Sequence, residues 1–266
     1  LGTVLEPSFA GSFYPKDPRE LSDLVTRLAG PADPLPGAVG MVVPHAGMVY
    51  SGRTAGMAYA RAPRDVPRVV LCAPSHRAFV RGAVLLDAGE LGTPLGNVQV
   101  DRQAFAGLRR RGIGSALMAE HSIEVQLPFM ITTWPGASVI PVVTISDDPS
   151  FLADLAGAIY EEAPDAFFVA SSDLSHYHSL ARALKLDSMV REAFLSLSPD
   201  ALLDALSRGG EACGRAAMVT LMHFAALAGG SRALEIDYST SADAGAGEKQ
   251  VVGYFSGMIA RGALAC

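Results

Sequence analysis

Five apolar, largely β-branched runs, each followed by polar residues or by Gly and Pro, limit this chain to few architectures: 40–43, 68–71, 137–143, 166–170 and 233–236. Runs that are apolar at every position suit strands buried on both faces, as in a sheet covered by helices. Helical patterns lie between them. The clearest begins where Asp17 can cap, Pro18 suits the first helical position and Glu20 can complete a capping box; Gly30 then ends the helix. Further helices are expected over 53–61, 101–111, 123–130, 149–162, 180–197, 199–208 and 215–227. The alternation predicts an α/β three-layer sandwich, a mostly parallel or mixed sheet with helices on both faces. The stretch AVLLDAGELGTPLGNVQVD interrupts it with turn residues Gly92, Pro94 and Gly96, and reads as a hairpin inserted at the sheet edge or over the site.

Half of the 266 residues are hydrophobic and 18% are charged, enough apolar material for one extensive core. No repeat, low-complexity tract or linker-like composition divides the chain, so residues 1–266 are expected to form one domain. A net charge of −6 argues against a broad phosphate-binding surface, and with it against nucleic acid as a partner. Cys72, Cys213 and Cys266 form no C-x-x-C pair, which indicates neither a disulfide framework nor a thiolate zinc site, and Cys72 and Cys213 read as packing residues. With no basic leader before an apolar stretch and no long apolar span, the expected location is cytoplasmic, away from membranes; the missing initiator Met suggests a trimmed start.

Polar chemistry is concentrated where the expected strands end. MVVPHAG delivers His45, VVLCAPSH delivers Ser75 and His76, and FFVASSDLSH delivers Ser171, Ser172, Asp173 and His176. Open α/β sheets bind ligands outside the carboxyl ends of their strands, because the strands aim the first loop residues into a common crevice. His121 precedes an expected helix and Asp243 follows the last expected strand, so both can reach the same edge. Imidazole binds iron, copper and zinc, and two histidines with one carboxylate leave open positions on Fe(II). A further histidine beside the metal would serve as acid or base, with His176 and His121 as candidates. A lone histidine is more often a hydrogen-bonded loop residue, and His178 and His223 are read that way; Asp173 has a competing reading as a helix cap. Arg109, Arg110 and Arg111 complement a helix end. The G-x-S-x-G, G-x-x-x-x-G-K-[ST], H-E-x-x-H and G-x-G-x-x-G signatures are all missing, leaving serine hydrolase, nucleotide and zincin chemistry unsupported.

AGSFYP, VPHAGMVYSG, PSH, EHSIEVQLPF, SSDLSHY, CGR and DYSTSAD, in this order, resemble the Memo-like proteins, described in bacteria and archaea as system protein B of an AMMECR–Memo–radical-SAM set. The resemblance implies a fold similar to class III extradiol (LigB-type) dioxygenases, which cleave catechol rings with non-haem Fe(II). It implies that His45 and His76 are metal ligands, that Asp173, His176 and His121 are catalytic residues beside them, and that AMMECR-like and radical-SAM proteins are partners. For the third ligand, where the animal branch has a cysteine after the last strand, Asp243 is taken as the substitute, with Asp173 as the alternative. The leading expectation is therefore an Fe(II) oxidoreductase, with copper or zinc as alternative metals, acting on an aromatic or phenolic small molecule. A noncatalytic metal- or partner-binding protein and a metal-assisted hydrolase stand beside it.

Overall fold

Val42, Val70, Ile140 and Phe168 are buried on one side of a sheet whose other side buries Met41, Val69, Val139 and Val169. Neighbouring residues on a strand point to opposite faces, so such runs need a hydrophobic layer above and below. The computed structural model describes residues 3–262, and Cys266 lies outside them. In chain order come β1 (Val4–Leu5), α1 (Pro18–Ala29), β2 (Ala38–Val43), α2 (Met48–Arg61), β3 (Arg68–Ala73), β4 (Ala83–Leu86), β5 (Glu90–Thr93) and β6 (Gly96–Gln99). Then follow α3 (Arg102–Arg110), β7 (Gly114–Ala116), the single turn α4 (His121–Glu124), α5 (Leu127–Thr133), β8 (Ser138–Thr144) and α6 (Pro149–Glu162). The chain continues through β9 (Phe167–Ser171), β10 (His176–His178), α7 (Leu180–Leu195), α8 (Pro199–Ser207), α9 (Arg215–Leu227), β11 (Gly230–Thr240) and β12 (Val251–Arg261).

The main sheet runs β10-β12-β2-β9-β3-β8-β4-β7, with β11 paired to β12. Its centre, β2-β9-β3-β8, is parallel; β12 and β4 join antiparallel on either side, so the sheet is mixed. Helices α1, α2 and α5 contribute to the hydrophobic layer on one face, and α3, α6, α7, α8 and α9 to the layer on the other. This is the expected three-layer α/β sandwich. Strand β9 enters between β2 and β3, which are joined over it by α2. The ends of all three therefore open into one crevice.

Several boundaries differ from the expectation. Asp17 caps α1 by accepting from the N–H groups of Arg19 and Glu20, and Gly30 ends it at φ 62°, as anticipated. The helix expected over 123–130 is two pieces, because Pro128 has no N–H to continue the ladder of α4. The inserted stretch splits: β4 joins the main sheet, whereas β5 and β6 form a hairpin in a separate small sheet with β1. Around 233–236 the expected doubly buried strand is instead the half-buried β11, which pairs only with β12. No described helix is long and apolar enough to cross a membrane.

Candidate metal centre and adjoining cleft

Strands β2, β3 and β9 end at Val43, Ala73 and Ser171, and the next few residues supply His45, His76 and Asp173. His45 is buried, with its ring centroid 5.1 Å from that of His76 and 5.5 Å from that of His121; His76 and His121 are 4.5 Å apart. Cys213, in the loop before α9, brings its Sγ to 3.3 Å from His45 Nε2. The ligand atoms of His45, His76 and Cys213 all lie within 4.8 Å of one another, as do those of His76, Glu120 and His121.

Hydrogen bonding fixes which imidazole nitrogens are free. Ser171 Oγ donates its one proton to the Ser122 carbonyl (2.7 Å) and accepts from Gln126 Nε2 (3.0 Å). Its 2.9 Å contact with His45 Nδ1 must then be donated by the imidazole, which leaves the lone pair on Nε2, facing Cys213. Burial, joined by repulsion from His76 and His121 and opposed by Asp173, lowers the His45 pKa to about 4, so the ring is neutral at neutral pH.

Glu120 lies against the other two rings and orients that of His76. Its Oε2 accepts from the His76 N–H (2.8 Å), while Oε1 lies 3.2 Å from His76 Nδ1 and 3.0 Å from His121 Nδ1. Burial opposes its ionisation, but the adjacent His121 imidazole and the hydrogen bonds from His76 outweigh burial and hold the carboxyl well below the usual carboxylate range. An ionised carboxylate only accepts, so Nδ1 of His76 carries the proton and Nε2 keeps its lone pair. His121 Nδ1 is buried and out of hydrogen-bond alignment with any partner despite its proximity to Glu120. Imidazole lone pairs meeting a thiol are a donor set suited to a transition metal. One turn further along, Glu124 accepts from the N–H groups of Ser8 and Phe9 and from Tyr14 Oη, which ties the AGSFYP segment to the site.

The remaining expected residues divide. Asp173 Oδ1 accepts from the backbone N–H groups of His45 (2.8 Å) and Ala46 (3.3 Å), so it braces the His45 loop and caps no helix. His176 is oriented by donation from Nδ1 to the Leu174 carbonyl (2.8 Å). Asp243 is not brought to the cluster: its carboxylate accepts from the Thr240 N–H (2.7 Å) and Oγ1 (3.1 Å), pinning the turn after β11, while the ligand atom that lies within 4.8 Å of those of His45 and His76 is Cys213 Sγ. His178 pairs with Glu211, and His223 lies within α9. Cys72 is buried in β3, where burial pushes its thiol up.

Cys213 reaches the cluster through a close approach at Gly214. The Gly214 N–H donates to Ser172 Oγ (2.9 Å), and a Cβ there would stand 2.2 Å from the Ser171 carbonyl oxygen. Asp173 N–H in turn donates to Cys213 Sγ (3.2 Å). Burial, then the charge of Asp173, pushes the thiol up; a bound cation would act in the opposite direction.

Beside the cluster lies a cleft of about 340 Å³, lined by Phe13, Tyr50, Tyr177 and Tyr254 together with His121, Asp173 and His176. Tyr177 takes φ 61°, a left-handed conformation uncommon for a tyrosine, at a register break where β10 pairs with β12.

The buried neutral imidazole makes stability depend on pH. Folded His45 binds its proton near pH 4 and the unfolded chain near 6.5, so between those values the unfolded state holds more protons and stability rises with pH. Metal-free protein should therefore lose about 3 kcal/mol from this group as pH falls through that window. Urea unfolding should show the loss above pH 5, before Glu120 protonates, and His45→Asn should flatten it.

A family model described as Memo-like protein matches residues 5–258. A MEMO1 family protein of Thermoplasma acidophilum is 35% identical over 94% of this chain and 97% of its own length. Another from Methanobrevibacter smithii is 34% identical over 96% of this chain and 99% of its own. The crystal structure of an uncharacterized Escherichia coli K12 protein, JW3007, aligns with 83% of this chain and 98% of its own at 16% identity and a TM-score of 0.49. On the family match over residues 5–258 and the two MEMO1 family relatives, the chain belongs to the Memo-like protein family.

Proposed function

We propose that this chain is a metal-dependent oxidoreductase that holds Fe(II), or copper in its place, with His45, His76 and Cys213, and accepts an aromatic or phenolic small molecule in the adjoining cleft. The observation that carries this reading is the convergence of those three ligand atoms within 4.8 Å. Bound there, such a metal would supply redox and oxygen chemistry that side chains lack. Ser171, itself held by Gln126, keeps His45 in the Nδ1–H tautomer, and Glu120 sets His76 and places its charge beside His121. Asp173 fixes the loop that carries His45. His176, with Nδ1 committed to Leu174, offers Nε2 as the acceptor for a phenolic proton. The family resemblance further suggests AMMECR-like and radical-SAM partners and a cytoplasmic location, which co-purification and fractionation would test.

Protein reconstituted with Fe(II) without oxygen and then exposed to a catechol panel should consume oxygen. Bound iron without any uptake would favour a binding protein, and activity with zinc alone would favour a hydrolase. Cys213→Ala should lose most of its metal and Asp243→Asn should retain it; the reverse result would return the third ligand position to Asp243.

A further inference from the structure

The cleft has a marked electrostatic bias. Among the described residues lining it none is Lys or Arg, and its one carboxylate is Asp173. That side chain is 4% exposed, yet only Oδ1 is engaged, by the His45 and Ala46 N–H groups; Oδ2 has no protein partner among the described residues. Oδ2 is not enclosed by the protein but opens to the cleft, where a ligand can supply the donor or counter-charge that the chain does not. The same cleft is lined by Tyr50, Tyr177, Tyr254 and Phe13. Tyr254 is buried, whereas Tyr50 and Tyr177 are 44% and 71% exposed and stand at the mouth. Tyrosine faces carry negative potential, and rings grouped around a carboxylate form a box for an organic cation.

We propose that the cleft selects a ligand with a positively charged ammonium head, which sits among these rings and donates to Asp173 Oδ2, and that it disfavours carboxylate-bearing analogues of the same shape. This rests on the cleft being the substrate site proposed above and narrows the substrate class to arylalkylamines and related cations. The rings supply cation–π attraction, and the free oxygen supplies a charge-assisted hydrogen bond. An anionic head would meet Asp173 and the tyrosine faces with no cationic side chain to offset them.

The test is calorimetric titration of the full chain, metal-free and Fe(II)-loaded, at neutral pH with tyramine, 4-ethylphenol and 3-(4-hydroxyphenyl)propionate. Tyramine should bind about tenfold more tightly than the neutral phenol, and the propionate more weakly than either. Tyr50→Leu/Tyr177→Leu, which alters only exposed rings, should cut the preference for tyramine over ethylphenol to about threefold. Equal affinity for tyramine and the propionate, an undiminished preference in the double variant, or no tyramine binding in either form overturns the proposal. The metal-free arm separates the two readings: a cation preference in a chain that takes up no metal would sink the metal centre and leave the cleft assignment standing.

Discussion

The His45→Ala/His76→Ala protein should emerge from Fe(II) or copper loading with less than about a tenth of the wild-type metal while remaining folded. The reason is the narrowness of the donor set. Removing both rings leaves Cys213 without its imidazole partners and His121 without a neighbouring imidazole. The fold should survive because the neighbouring groups keep other bonds: Ser171 Oγ still accepts from Gln126 and donates to Ser122, and Asp173 still receives the backbone N–H at position 45. The cavity at His45 should cost about 2 kcal/mol. Elemental analysis beside a thermal melt checks both halves. Near-stoichiometric metal in a folded double variant would remove these residues from the ligand set.

Gly214→Ala should be the most damaging single methyl group in the site. Its Cβ would stand 2.2 Å from the Ser171 carbonyl oxygen and 2.6 Å from Ser172 Cβ, and the first of these is backbone locked in the central sheet. Relief requires α9 to withdraw from β9, carrying Cys213 with it and stretching the Gly214 to Ser172 hydrogen bond. Overpacking of this kind costs about 3 kcal/mol, or about 10 °C in Tm for a domain of this size. Metal retention should fall in parallel, although the substitution touches no ligand. Gly157→Ala is the matched control: it lies in α6 with nothing within 4 Å of the added Cβ, so it should be neutral or stabilise by about 0.5 kcal/mol. A Gly214→Ala protein that melts with wild type would show that the start of α9 relaxes freely.

These two experiments probe different degrees of legibility. His45 and His76 were readable because each follows a continuous apolar run, and a parallel strand aims its first loop residues at the sheet's edge. Cys213 follows no strand. It reaches His45 through the packing of a helix start against Ser171 and Ser172, a contact between distant segments that periodicity cannot register. Its pairing with an adjacent glycine was the available clue, since Gly just before a helix can mark a close backbone approach. Glu120 was hidden for a related reason: it acts through the backbone and Nδ1 of His76, whereas the motif directs attention to His121 beside it. Asp243 was chosen by its place after the last expected strand, but an aspartate three residues past Thr240 does local work, closing a turn. Strand β12 escaped notice because Gly253 and Gly257 break its apolar run.

That last strand has a consequence for how the site comes into being. β12 lies between β10 and β2, and Gly253 exchanges backbone hydrogen bonds with the loop of Asp173 and His176, accepting from Leu174 N–H and donating to the Ser175 carbonyl. On the ribosome, His45 and His76 emerge early, Cys213 much later, and the strand that secures the Asp173 loop later still. A nascent chain thus carries exposed imidazoles for most of its synthesis without a finished binding site. Capture of a metal with the native donor set must wait until β12 has emerged and paired, and a folding defect in that strand would appear first as protein made in normal amounts but poorly loaded.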